Sequence, residues 1–269
     1  MKGIGAVLID IDGVLTVSWK ALPGAVEAME RLRAAGLPLV LVTNTTSRTR
    51  AAVAGRLARE GFPVGAEDIL TAPTATAAYL HAHHPGARCL LISSGEVGAD
   101  LEGVELVGEP EGEREGAAGR NAPDVIVFGG AGPEFSYPTL NRAFRHLQRG
   151  AHLVAMHRNL YWRTADGFDL DTGAFLPGLE RAAGVTATVT GKPSPAFFDT
   201  ALAHLGVPAS EALMIGDDIE SDVLAAQRRG ITGVLVKTGK YLLETHRAAD
   251  GTPDHVLDSF AGLPGLLGY

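Results

Sequence analysis

The chain has 269 residues, 46% of them hydrophobic, 20% charged and 6% aromatic, with a single cysteine. This excludes a disordered chain, a collagen-like repeat and a disulfide scaffold, and the length suffices for a sizeable core. Lys and Arg number 23 against 31 Asp and Glu, and the formal net charge of −8 disfavours nucleic acid and anionic membranes as partners.

Residues 6–9 are a short apolar run that ends in an acidic, glycine-containing turn, Asp10 to Gly13, and read as a buried strand. The run is too short for a signal-peptide core, and no apolar stretch approaches the length of a transmembrane helix. Cys89 has no partner for an internal disulfide, so the expected location is the cytoplasm. Pro23-Gly24 leads into a helix over 25–35 with Val26, Met29 and Leu32 on one face and Gly36 as its stop. Residues 37–42 form a second strand ending at Thr43-Asn44. A helix over 49–60 follows, with Ser47 as candidate cap and Gly61 as terminator.

The middle of the chain carries strands over 89–92, 125–128 and 153–156, with a helix over 137–149 that aligns Leu140, Phe144 and Leu147. The acidic stretch 109–119 reads as a solvated surface loop. Further on come a strand over 187–190 before Gly191-Lys192-Pro193, a helix over 195–205, and a strand over 213–215 ending at Gly216-Asp217-Asp218. A helix over 222–229 and a strand over 233–236 complete the pattern. Continuous apolar strands alternating with helices predict an α/β fold, a doubly wound, Rossmann-like parallel-sheet core. The expected core is built from 1–72 and 186–269, with an inserted α/β domain over 73–185.

In such a sheet the carboxyl ends of the strands face one way and ligands bind there. Asp10 and Asp12, Thr43 and Asn44, Lys192, and Asp217 with Asp218 each follow a strand and are therefore expected to converge. Crowded carboxylates repel, and all-oxygen ligation suits Mg²⁺, with no Cys/His set at zinc spacing to compete. A metal, a lysine and a Thr-Asn pair of donors suit a tetrahedral dianion, as phosphoryl transfer requires. Asp10, held by lysine and metal, stays ionised and can attack phosphorus; Asp12, beside another negative charge, can protonate the leaving oxygen and later deprotonate water.

Asp10-Ile11-Asp12-Gly13-Val14-Leu15, Thr43-Asn44, Lys192 and Gly216-Asp217-Asp218-Ile219-Glu220-Ser221-Asp222 resemble, in order, the four motifs of the haloacid dehalogenase superfamily. The insertion between the second and third resembles the α/β cap of its type IIA branch, which includes NagD-like and p-nitrophenyl-phosphatase-like enzymes. The resemblance implies that Asp10 is nucleophile and metal ligand, and that Asp12 is the acid/base and offers its backbone carbonyl to Mg²⁺. It further implies that Thr43, Asn44 and Thr45 hold phosphate oxygens, Lys192 neutralises phosphate and nucleophile, Asp217 ligates the metal and Asp222 supports it. The part played by Asp218 stays open between these acids. Asp12 argues against dehalogenation, and pairing of related proteins through the cap implies a homodimer.

The expected function is a Mg²⁺-dependent phosphatase that hydrolyses small phosphorylated metabolites through an aspartyl-phosphate. A phosphotransferase or mutase would use the same core and place phosphate on an acceptor instead of water. A receiver-like phospho-Asp switch would share the clustered acids and lysine, but not the acid/base Asp12. Arg158, Asn159 and Trp162, after the strand over 153–156, are candidates for reading the leaving group. His81, His83 and His84 lack the i, i+4 spacing of a helical metal pair and read as a solvated helix end. Cys89, inside a strand, reads as a buried structural thiol.

Overall fold

Ala6–Asp10 and Leu39–Thr43 are buried at every position, as strands covered on both faces must be. The computed structural model describes residues 3–108, 122–164 and 167–269, with the backbone alone at 162–164. The two strands lie at the centre of a six-stranded sheet. From one edge to the other it runs His255–Leu257, Thr232–Val236, Ala212–Gly216, Ala6–Asp10, Leu39–Thr43, Ile69–Thr71. All its pairings are parallel. The chain steps outward from Ala6–Asp10 to Ile69–Thr71 and then returns to the opposite side at Ala212–Gly216. The strand order therefore reverses between Ala6–Asp10 and Ala212–Gly216, and their carboxyl ends flank the switch-point crevice.

One face of this sheet packs Val7, Ile9, Leu41 and Ile215 against Met29 and Leu32 of helix Ala25–Ala34 and Leu57 of helix Arg50–Arg59. The alternate residues Leu8, Val40 and Met214 are buried as well. On that side helix Pro195–Leu205 lies against Leu39–Thr43 and buries Phe197, Phe198 and Ala201. Each fully buried side chain of this size contributes about 1.5–3 kcal/mol of apolar transfer free energy. The doubly wound core expected from the alternating pattern is what forms.

The chain divides into two compact units, the first comprising Met1–Thr43, Arg50–Thr71 and Lys192–Tyr269, the second Asn44–Thr49 and Ala72–Gly191. The second unit holds a five-stranded parallel sheet in the order Thr188–Val189, His152–Ala155, Val125–Phe128, Arg88–Ile92, Glu105–Leu106. Phe128, Leu147, Leu153 and Leu176 fill one layer of its core, and Leu80, Cys89, Val127 and Met156 another. Helix Tyr137–Gln148 starts at Ser136, whose Oγ accepts the Thr139 N–H at 3.4 Å, with Pro138 in its first turn. Burial pushes the Cys89 thiol up to about 11, as an inert structural thiol requires.

Three features differ from the pattern read along the chain. Thr188 pairs with Val154, so this strand joins the second sheet and not the core to which 186–191 had been assigned. An apolar run announces a strand but not the sheet that receives it. Helix Ala72–His83 gave little signal because Ala72, Pro73, Ala75, Thr76, Ala77 and Leu80 bury several of its faces, and small residues leave weak periodicity. The expected helix over 222–229 is instead a π-helix, Ile219–Leu224, running into the short helix Ala225–Gln227. The acidic stretch 109–119 lies outside the described residues.

Candidate active site

Asp10 ends the central strand, opposite Val42 of Leu39–Thr43, and is 6% exposed. The chain then turns sharply: Leu15 N–H donates to Ile11 O at 3.0 Å and Gly13 N–H to Thr16 O at 2.7 Å. Gly13 sits at φ 91°, a left-handed conformation that an L side chain rarely adopts. The turn leaves the Asp12 side chain facing solvent, two residues from a buried Asp10. Across the switch point, Gly216 ends Ala212–Gly216 and delivers Asp217, 2% exposed.

The π-helix then brings back a second acid. Val223 N–H reaches Asp218 O at 3.3 Å, an i to i+5 bond, and Asp222 N–H reaches the same oxygen at 3.1 Å. Asp218 caps this helix, its Oδ1 accepting Glu220 and Ser221 N–H groups at 3.0 Å each. Asp222 instead turns inward and is 2% exposed. A Cβ at Gly216 would fall on its carboxylate, 2.6 Å from Cγ, so only glycine admits this approach.

Lys192, 6% exposed, donates to Asp10 Oδ1 and pairs with Asp222 Oδ1 at 2.7 Å. Asp10, Asp217 and Asp222 can each place an oxygen within 4.8 Å of the others, the only such group of acids, histidines or cysteines among the described residues. The loop after Thr232–Val236 closes around this cluster. Lys240 N–H donates to Asp217 Oδ2 at 2.6 Å, and Thr238 Oγ1 donates to Gly13 O at 2.5 Å.

The electrostatics follow from three buried acids beside two lysines. Burial raises Asp10 against the attraction of Lys192, and Asp12 adds repulsion. Burial, then Asp10 and Asp222, push Asp217 up to about 7 despite Lys240. Burial also raises Asp222 to about 6, opposed by Lys192. Burial alone would lower Lys192, but Asp10 and Asp222 outweigh it and the pKa rises. Desolvation raises the Asp12 carboxyl, while Lys240 and then Lys192 pull it down. Negative charge therefore exceeds what the protein itself neutralises.

Asp217 Oδ1 is buried and, among the described residues, has no hydrogen-bond partner. A buried carboxylate oxygen without a donor is costly unless a cation faces it. The donor set is all oxygen, which fits a hard dication such as Mg²⁺.

The other sequence candidates fall as follows. Thr43 ends the strand beside Asp10 and is 4% exposed. Asn44 and Thr45 are half-buried and group with the second unit, where a Cβ on Gly191 would stand 2.7 Å from Asn44 Oδ1. Arg158 is exposed in the second unit and gives both terminal nitrogens to Glu180, one at 3.1 Å. Asn159 is exposed there too, its carbonyl accepting Gly173 N–H at 2.8 Å. Trp162 begins no contact that can be described, since its side chain lies outside the described residues. Thr238, Gly239 and Lys240 were missed; their one signal was a Thr-Gly-Lys turn directly after an apolar strand.

A Cβ at Gly13 would overlap the Asp217 carboxylate and lie 2.9 Å from Gly239 Cα. Gly13→Ala is thus expected to lower Tm and to reduce turnover by about 10²-fold or more through displacement of Asp217. A wild-type Tm and rate by calorimetry and phosphate assay would overturn this.

Comparison with known proteins agrees with this geometry. Residues 7–107 match the family profile described as haloacid dehalogenase-like hydrolase, and 189–263 match an HAD-hydrolase-like profile. The chain is 36% identical to human haloacid dehalogenase-like hydrolase domain-containing protein 2, covering 96% of this chain and 94% of that protein. It is also 36% identical to the Xenopus laevis phospholysine phosphohistidine inorganic pyrophosphate phosphatase, over 99% and 95%. Escherichia coli NagD superposes with a TM-score of 0.83 at 28% identity, covering 96% of this chain and 97% of that one. The glycerol phosphate phosphatase of Mycobacterium tuberculosis, solved in complex with magnesium, gives 0.84 at 26%, covering 97% and 77%.

Fold and relatives together define a hydrolase of the phosphatase class. The chain belongs to the haloacid dehalogenase-like hydrolases, and its type IIA, NagD-like kinship holds over its full doubly wound core. No helix among the described residues is long and apolar enough to cross a membrane.

Proposed function

We propose that the protein is a Mg²⁺-dependent phosphatase that hydrolyses small-molecule phosphate monoesters through an aspartyl-phosphate on Asp10. The observation that carries this reading is the buried Lys192–Asp10 pair clustered with Asp217, whose Oδ1 is buried without a donor. Asp10, Asp217 and the backbone carbonyl of Asp12 would hold the cation, with Asp222 supporting it. Bound there, Mg²⁺ supplies positive charge that neutralises the carboxylates and the phosphate oxygens.

Lys192 keeps Asp10 ionised and aimed, so one Asp10 oxygen attacks phosphorus as the P–O bond to the leaving group breaks. Desolvation holds the Asp12 carboxyl above its ordinary pKa, so it can carry a proton to the departing alkoxide. The same carboxylate, now ionised, takes a proton from water, which attacks phosphorus and releases Asp10 and inorganic phosphate. Thr43 offers a hydroxyl donor to the phosphate oxygens, alongside the Lys192 ammonium. The names of two structural neighbours, a glycerol phosphate phosphatase and a p-nitrophenyl phosphatase, support small monoesters as the substrate class.

The test is phosphate release from p-nitrophenyl phosphate with Mg²⁺ and with EDTA, followed by borohydride reduction of acid-quenched enzyme. Mg²⁺-dependent release and homoserine at position 10 in the digested peptide are expected. Release without homoserine would replace the covalent route by direct attack of water. Phosphate appearing on an added alcohol in preference to water would favour a phosphotransferase.

A further inference from the structure

The run His81-Ala82-His83-His84 closes helix Ala72–His83, and the catalytic reading leaves it unused. Its internal spacing forms no metal pair, but the fold adds an imidazole from a distant segment. His152, first residue of strand His152–Ala155, lies with its ring centroid 4.7 Å from that of His84 and its plane tilted by 51°. His83 lies against Tyr79 with centroids 4.5 Å apart. These four side chains, with Thr186 and Thr188 beside the edge strand, line a cavity of about 320 Å³.

We propose that His84 and His152 form a binding site for an imidazole-preferring transition-metal dication of the zinc class, with His83 at its mouth. Two imidazoles on one zinc, with Zn–N bonds of about 2.1 Å, place their ring centroids roughly 4.5–5.2 Å apart. The pair already has the centroid spacing that one shared ion requires. The alternative occupant, an anion, lacks support: among the described residues no lysine or arginine lines the cavity. Burial, with His152 and His83 close by, also lowers the His84 pKa, which favours the neutral imidazole that ligates metals. Mg²⁺ is a poor fit because it prefers oxygen donors, and among the described residues no carboxylate lines this cavity either. The remaining volume admits the waters or exogenous ligand that complete a tetrahedral shell, so the site is open and exchangeable.

The experiment is calorimetric titration of the full chain with ZnCl₂ in saturating Mg²⁺, which keeps the carboxylate cluster occupied. One zinc per chain is expected, weakened at least about tenfold in His84→Ala and in His152→Ala. His81→Ala, whose ring meets Glu102 O at 2.9 Å outside the cavity, is expected to bind as wild type. Circular dichroism establishes that each variant is folded. Absence of zinc binding in the wild type, or equal affinity in wild type, His84→Ala and His152→Ala, would overturn the assignment.

Discussion

Asp10→Asn is expected to lower kcat by about 10³-fold or more with p-nitrophenyl phosphate while leaving the fold intact. Asparagine keeps the shape of the side chain but loses the charge that attacks phosphorus. Lys192 retains Asp222 at 2.7 Å, so the buried ammonium is not orphaned. One fewer buried anion also relieves the repulsion on Asp217, so the metal-free Tm should hold or rise. A large fall in Tm would show that activity was lost through unfolding. Near-normal turnover would remove Asp10 from the nucleophile's role.

Asp12→Asn separates the two half-reactions. The p-nitrophenolate group leaves without protonation, so phosphoryl transfer to Asp10 should persist while attack by water slows. Aspartyl-phosphate should then accumulate, and borohydride should convert more of position 10 to homoserine than in wild type. With an alkyl phosphate, whose leaving oxygen needs a proton, both steps should slow.

The second large effect concerns metal and pH. Thermal stabilisation by Mg²⁺ is expected to reach about 5 °C or more at pH 8 and to fall below about 2 °C at pH 5.5. In the metal-free protein the Asp217 pKa is raised from 3.8 to about 7 and the Asp222 pKa to about 6. A raised acid binds a proton in the folded protein where the unfolded chain has already lost it. Metal-free stability therefore declines as pH rises from about 4 to about 7 and remains lower above that. Mg²⁺ restores it where the acids are ionised, and protons displace the metal where they are not. Asp217→Asn should raise the metal-free Tm at pH 8 and abolish the Mg²⁺ shift. A shift equal at both pH values, or undiminished in Asp217→Asn, would mean that the cation binds elsewhere.

Much of this site was legible because its residues stand directly after apolar strands. Ala6–Asp10, Leu39–Thr43 and Ala212–Gly216 announce themselves as buried runs, and a parallel sheet gathers whatever follows their carboxyl ends. Asp10, Asp12, Thr43 and Asp217 were found on that logic. Lys192 was found for a different reason than expected, since the strand before it pairs with His152–Ala155 in the second unit. Residues that act through backbone contacts were not found: Lys240 through its N–H, and Gly239 through its close approach to Gly13.

By itself the sequence determined the fold class and the acids that stand at strand ends, because apolar periodicity and strand-end position are local properties of the chain. Only the tertiary structure decided which acids cluster and which cap a helix. Asp218 and Asp222 look equivalent along the chain until the π-helix sends one to backbone N–H groups and the other to Lys192. It also decided the sheet that Thr188–Val189 joins and the encounter of His84 with His152, 68 positions apart with ring centroids at 4.7 Å. Such pairings depend on the packing of whole elements, and no window of neighbouring residues contains that information.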